Sequence, residues 1–182
     1  LVSNLPGTFI DIGSTGTPMA LADDGEASIV TTLGNMLLPA GEVRIGSNGG
    51  MRFRGTGQNL AIINATLPAF GAFSFESQSL LPFWDDLNSG NGTIGEIYWQ
   101  ELGGQLIVQW KDVGFFGSPA TERTTFQVQI PTSGTVWARF VYADVQQVRA
   151  DGGASATIGY QAGGYGNDIQ FSFDTAGAVS DG

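Results

Sequence analysis

Leu80-Leu81-Pro82-Phe83-Trp84-Asp85-Asp86-Leu87, backed by the stretch from Ile97 to Val113, decides how this chain folds. The octapeptide is the densest run of large apolar side chains, and it carries an adjacent Asp pair beside an indole ring. Behind it, Gly103-Gly104 predicts a two-residue turn between two antiparallel strands. That turn sets Leu102 opposite Gln105, Glu101 opposite Leu106, Trp99 opposite Val108 and Ile97 opposite Trp110. One side of the hairpin is then core. The other, with Tyr98, Gln100, Ile107 and Gln109, is mostly polar, as in a sheet wetted on one face.

Outward from this centre the same period of two recurs, bounded by Gly, Asn, Asp and Pro, and helical spacing is nearly absent. A short strand is expected from Thr8 to Ile12 and another from Ala27 to Leu33, after the acidic turn Asp23-Asp24-Gly25-Glu26 with its Gly in the left-handed position. Val43-Arg44-Ile45 and Met51-Arg52-Phe53-Arg54 form a hairpin around Asn48-Gly49-Gly50. A three-residue loop sets Ile45 opposite Phe53 and Ser47 opposite Met51, which keeps one face apolar where a two-residue turn would not. Leu60, Ile62 and Ile63 suggest a further strand, ahead of a loop at Leu67-Pro68-Ala69-Phe70. Later strands follow around Phe126, Val128 and Ile130, around Val136 to Tyr142, around Ala156-Ile158-Tyr160 and around Ile169-Phe171-Phe173. The Gly-rich loop from Gly163 to Asp168 joins the last two and lacks the Lys and the strand-then-helix setting of a phosphate loop. The expectation is an all-β chain: one domain, residues 1–182, folded as an antiparallel two-sheet sandwich, jelly-roll-like, of about ten strands.

Composition narrows the function. Seven Lys plus Arg against seventeen Asp plus Glu leave a net charge of -10, which repels nucleic acid and anionic lipid. Charged residues make up only 13%, against about 25% in an average chain, so the solvent face is expected to be built from Gly, Ser, Thr, Asn and Gln. With no Cys and no His, thiolate chemistry, imidazole ligation of zinc and a Ser-His-Asp triad are all excluded. No apolar run reaches the length of a membrane helix. The chain begins at Leu1 without a basic-then-apolar leader, as a processed or trimmed product would.

Asp85 and Asp86 are the first candidates for chemistry. Neighbours on a strand point to opposite faces, so at most one of them faces the interior, and a strand-end turn is the preferred reading. Calcium is the alternative: Asp85, Asp86, Asn88 and Glu96 offer hard oxygen ligands, although the loop lacks the terminal Glu of an EF-hand. Asp23 and Asp24 form a second acidic turn with the same two readings. A glycosidase pair, Asp85 or Asp86 with Glu96 or Glu101, is the third and most distant reading. Arg44, Arg52 and Arg54 gather on one hairpin and are expected to pair with carboxylates. Trp99 and Trp110 read as core. Phe115, Phe116 and Trp137 fall in the less buried phase and are the candidate contacts for a glycan or a like subunit.

The order Val43-Arg44-Ile45-Gly46-Ser47-Asn48-Gly49, Leu81-Pro82-Phe83-Trp84-Asp85-Asp86-Leu87, Ile97-Tyr98-Trp99-Gln100, Leu106-Ile107-Val108-Gln109-Trp110, Thr125-Phe126-Gln127-Val128 and Ala156-Thr157-Ile158-Gly159 resembles a group of secreted bacterial surface domains. They are similar to the nidogen-type extracellular domain and often occur in exoproteins with a carboxy-terminal sorting anchor. The resemblance runs from about residue 8 to about residue 175. It implies a secreted or cell-surface β-sandwich used for adhesion, matrix or assembly, without catalysis. The expectation is therefore a non-enzymatic structural module that needs no cofactor, self-associates or meets another surface component, and binds no nucleic acid. Its rival is a calcium-dependent carbohydrate-binding domain.

Overall fold

In the computed structural model, residues 7–53, 63–69, 78–147, 149–163 and 167–182 are described. Two sheets form. Sheet A has the order β1-β7-β8-β9-β10, with β6 added beside β8, and sheet B the order β12-β11-β5-β4-β3-β2. The strands are β1 Thr17–Pro18, β2 Glu26–Thr31, β3 Gly41–Gly46, β4 Gly50–Phe53, β5 Gln78–Trp84, β6 Leu87–Asn88, β7 Glu96–Leu102, β8 Gln105–Phe115, β9 Arg123–Pro131, β10 Arg139–Asp144, β11 Thr157–Gln161 and β12 Ile169–Phe173. All pairings are antiparallel. The chain crosses between sheets after β1, β5 and β10 and otherwise runs as meanders, so the likeness to a jelly roll reduces to the two-layer sandwich itself.

The central hairpin pairs as its sequence demands, from Ile97 opposite Trp110 to Leu102 opposite Gln105, and Gly103 and Gly104 both have positive φ. The earlier hairpin also closes with three residues, but one step sooner. The loop is Ser47-Asn48-Gly49, and Ile45 faces Met51 instead of Phe53. The slip is two residues in the pairing, so the apolar face survives it.

Pro82 cannot donate to a ladder, yet β5 is an interior strand between β11 and β4. A bulge resolves this: Thr157 pairs with Trp84 and Gly159 with Leu81, so Pro82 and Phe83 oppose the single residue between them. The bulge also shifts the phase of the strand. Leu80 and Phe83 enter the core between the sheets, while Leu81 and Trp84 pack on the outer face against Ala65, Leu67 and Ala69. Across the core Phe126 stacks on both Trp110 (5.1 Å) and Phe83 (5.5 Å). Two polar contacts staple the layers: the Trp110 indole donates to the Gly46 carbonyl at 2.9 Å and the Tyr142 hydroxyl to the Pro82 carbonyl at 2.8 Å.

Several expectations change. Thr8–Ile12 is extended but belongs to no strand, because glutamine side chains and not a neighbouring strand bind its backbone. For the same reason the outer face of sheet A is dry at its centre, where Ile107, Gln109 and Gln127 are fully buried, while Tyr98 and Gln100 on β7 stay half-buried. Phe115 is buried too, because β8 runs on past a bulge to pair with Leu87, and its ring meets Phe83 edge-on. It is not an exposed contact residue. In the acidic turn Asp24, not Gly25, takes the positive φ, and Gly25 is needed because a Cβ there would lie 2.7 Å from the Ala22 carbonyl oxygen. Arg44 and Arg52 share Glu26, at 3.1 and 2.6 Å. Arg54, Leu60, Ile62, Phe70 and Gly164 to Gly166 lie outside the described residues, and Ile63 is exposed in a bend.

Replacing Gln127 by Leu keeps the volume but strands the amide and carbonyl of Ile10 against sheet A. Each polar group left without a partner costs about 1–3 kcal/mol. Chemical denaturation is expected to show a loss of at least that size with little change in slope; an unchanged midpoint would refute the structural role.

Candidate functional site

The site is built by five connections meeting at one end of the sandwich. The hairpin loop comes first. A Cβ on Gly49 (φ +75°) would lie 1.9 Å from the Phe83 carbonyl oxygen, so only glycine lets the loop seat against the end of β5. Once seated, Asn48 is 1% exposed and joins two other segments. Its side-chain oxygen accepts from the Leu87 amide (3.1 Å) and its NH2 donates to Asp24 Oδ1 (2.9 Å).

The Asp pair then divides at the bend between β5 and β6. Asp85 is 4% exposed; its carboxylate accepts from the Ser155 hydroxyl and from the Asp86 amide. Burial pushes the Asp85 carboxyl above its ordinary range, against the pull of those donors and of Arg149. Asp86 turns outward and comes together with Asp23 and Asp24, one carboxylate oxygen from each lying within 4.8 Å of the others. Burial, then the charges of Asp24 and Asp23, raise the pKa of Asp86; burial, then Asp24, raise that of Asp23. Asp23 Oδ1 is buried with no hydrogen-bond partner among the described residues.

Next to the acids stands Phe116, 53% exposed, its amide donating to the Asp86 carbonyl at 2.9 Å. Arg149 supplies the nearby positive charge and is anchored: its guanidinium lies 5.4 Å from the Phe115 ring centroid and donates to Ser118 Oγ at 3.1 Å.

The other predicted residues are not drawn in. Asn88 accepts from the Gly90 amide (2.6 Å), and Glu96 accepts from the amide of the next residue, Ile97 (2.9 Å). Glu101 is at the far end of β7–β8, roughly 30 Å from the Asp pair at about 3.3 Å per strand residue, far beyond the separation of a glycosidase pair. There it accepts from the hydroxyls of Thr31 (2.6 Å) and Thr32 (2.9 Å), and the first of these leads in lowering its pKa. Trp137, 52% exposed, is at that same far end. The arrangement therefore unites the two acidic turns, which sequence reading kept apart. Sequence reading missed Ser155 and Arg149, which carry no motif. It also passed over Asn48, whose signal was the Asn-Gly dipeptide itself.

Comparison with known proteins adds one finding. A family described as NIDO related matches residues 2–181. No curated protein and no solved structure matches the chain.

The shifted carboxyls make stability depend on pH with a definite sign. A carboxyl raised in the folded state adds stability below its unfolded pKa of about 3.9 and loses it as pH climbs through the folded value. Asp23, Asp85 and Asp86 act in this sense. Asp11 acts oppositely: hydrogen bonds from Gln109, Lys111 and the Gly13 amide hold it down to about 2, so its contribution disappears as pH falls from about 4 toward that value. Thermal melts are expected to hold or rise as pH falls from neutral toward the raised folded-state values of these carboxyls, and Asp86→Asn to flatten that limb by raising the neutral-pH value. A wild-type and variant pair with parallel profiles would contradict the assignment.

Proposed function

The chain belongs to the NIDO-related family, and from that membership we propose that it is a non-catalytic extracellular structural and adhesive module of a bacterial cell surface, assembling through its own surfaces. The observation that carries this reading lies at the end opposite the acids. Met36 is 99% exposed, Val30 73%, Trp137 52% and Leu102 42%. The segments bearing them are tied together. Asn35 donates to the carbonyls of Pro131 (3.0 Å) and Trp137 (2.8 Å), Gln105 next to the Leu102 turn pairs with Pro131, and Thr31 beside Val30 bonds Glu101. Large apolar side chains held out in water on a rigid frame support a contact surface. A second copy fits it, since self-complementary apolar patches close without needing opposite charge, and the net charge of -10 makes added salt favourable to contact.

Light scattering at rising concentration tests this. Self-association that strengthens with salt is expected, and Met36→Ser with Trp137→Ser is expected to weaken it several-fold with the melting temperature unchanged. A strict monomer at high concentration would remove the assembly reading.

A second reading is favoured by the buried, unpartnered Asp23 Oδ1 and by Phe116 beside the acids. It is calcium-dependent glycan binding, in which Asp23, Asp24 and Asp86 would supply the oxygens and the exposed ring a stacking face. Millimolar calcium is then expected to raise the melting temperature of the wild type and not of Asp86→Asn. No rise in the wild type counts against it.

A further inference from the structure

Gly7 to Ile12 crosses the outer face of sheet A as a strap. A Cβ on Gly7 would touch Val141 of β10, while Gln129 and Gln127 of β9 and Gln109 of β8 bind the residues that follow. Gln129 Nε2 donates to the Thr8 carbonyl at 2.8 Å. Gln127 accepts from the Ile10 amide and donates to the Ile10 carbonyl, both at 3.1 Å. Gln109 Oε1 accepts from the Ile12 amide at 2.9 Å. These three amides are at most 3% exposed and bond one another, Gln129 to Gln127 at 2.6 Å and Gln127 to Gln109 at 3.5 Å. They form a preformed polar trench that reads main-chain groups at every second residue of an extended segment. Side-chain selection falls to buried Ile12 and to Asp11, which accepts from Gln109 (2.9 Å) and from Lys111 (2.9 Å).

The strap is tethered by the turn at Gly13 to Gly16, where the Thr15 and Gly16 amides both donate to the Ile12 carbonyl at 3.2 and 2.7 Å. Among the described residues it joins no sheet ladder. Opening that one turn therefore releases the strap without unpairing a strand of the body, and the trench offers the same contacts to the same segment of any copy. We propose that residues 8–12 exchange between molecules, the trench of one copy taking the strap of another. Reciprocal exchange closes a dimer; passing the strap onward to a third copy extends a chain, because the contact is head-to-tail. This deepens the self-assembling reading above and rests on it, but uses a different surface from the apolar end.

The chain has no Cys, so introduced thiols are unambiguous. Full-length Asp11→Cys and Lys111→Cys chains, mixed under associating conditions and treated with a short bismaleimide, are expected to give several-fold more covalent heterodimer than Asp11→Cys mixed with Ser133→Cys, a thiol in an exposed turn away from the trench. The double variant Asp11→Cys/Lys111→Cys, cross-linked within one chain at high dilution, is expected to associate several-fold more weakly than the uncross-linked double variant, keeping only the contact through the apolar end. Heterodimer no greater than the control, or a locked chain that associates like the unlocked one, overturns the exchange while leaving the apolar-end reading in place. A wild type that never associates overturns both.

Discussion

Everything at the acidic end depends on how close the Asn48-Gly49 backbone comes to the Phe83 carbonyl. That approach is permitted only by the missing Cβ, and it places the Asn48 amide where it bonds Leu87 on one side and Asp24 on the other. The turn of one hairpin thus becomes the bracket that holds the β5–β6 corner and the β1–β2 corner together. Charge repulsion among Asp23, Asp24 and Asp86 works against this gathering. The bracket, and the docking of the Phe116 amide on the Asp86 carbonyl, oppose that repulsion.

The charge-poor composition has a second explanation besides solubility. Each outer face of the sandwich is covered in part by a segment without regular pairing, and side chains bind its backbone. On sheet A the glutamines 109, 127 and 129 hold Thr8–Ile12. On sheet B, Gln161 accepts from the Ala69 amide, Gln170 from the Leu67 amide, and the Thr157 hydroxyl donates to the Ala65 carbonyl. A primary amide suits this task because it donates and accepts at one site and needs no counter-ion. A charged side chain in place of one of these amides would need a counter-ion beside it, as Arg52 has in Glu26 on sheet B.

Legibility from sequence follows the range of the interaction. The Gly103-Gly104 hairpin was readable to the residue, because turn chemistry and alternation act within a few positions. The Val43–Phe53 hairpin was readable in loop length and face, but two registers satisfied the same alternation, and docking on β5 chose between them. The phase error at Phe115 came from the bulge between Trp110 and Val113, which alternation cannot anticipate. Glutamines at alternate positions look like a solvated face, and nothing local distinguishes them from a face that a remote segment covers.

The amino-acid order by itself determined an all-β sandwich around a Trp-bearing ribbon, the division of Asp85 from Asp86 across a strand end, and the exclusion of imidazole and thiol chemistry. These are matters of period, adjacency and inventory, which need no distant partner. Only the tertiary structure decided that Asp86 joins Asp23 and Asp24 instead of Asn88 and Glu96, that Phe116 stays in water while Phe115 does not, and that the N-terminal segment lies in a glutamine trench. Those outcomes depend on which loops meet at an end of the sandwich and on what covers each sheet. Such contacts join positions tens of residues apart, and no single stretch of the chain carries them.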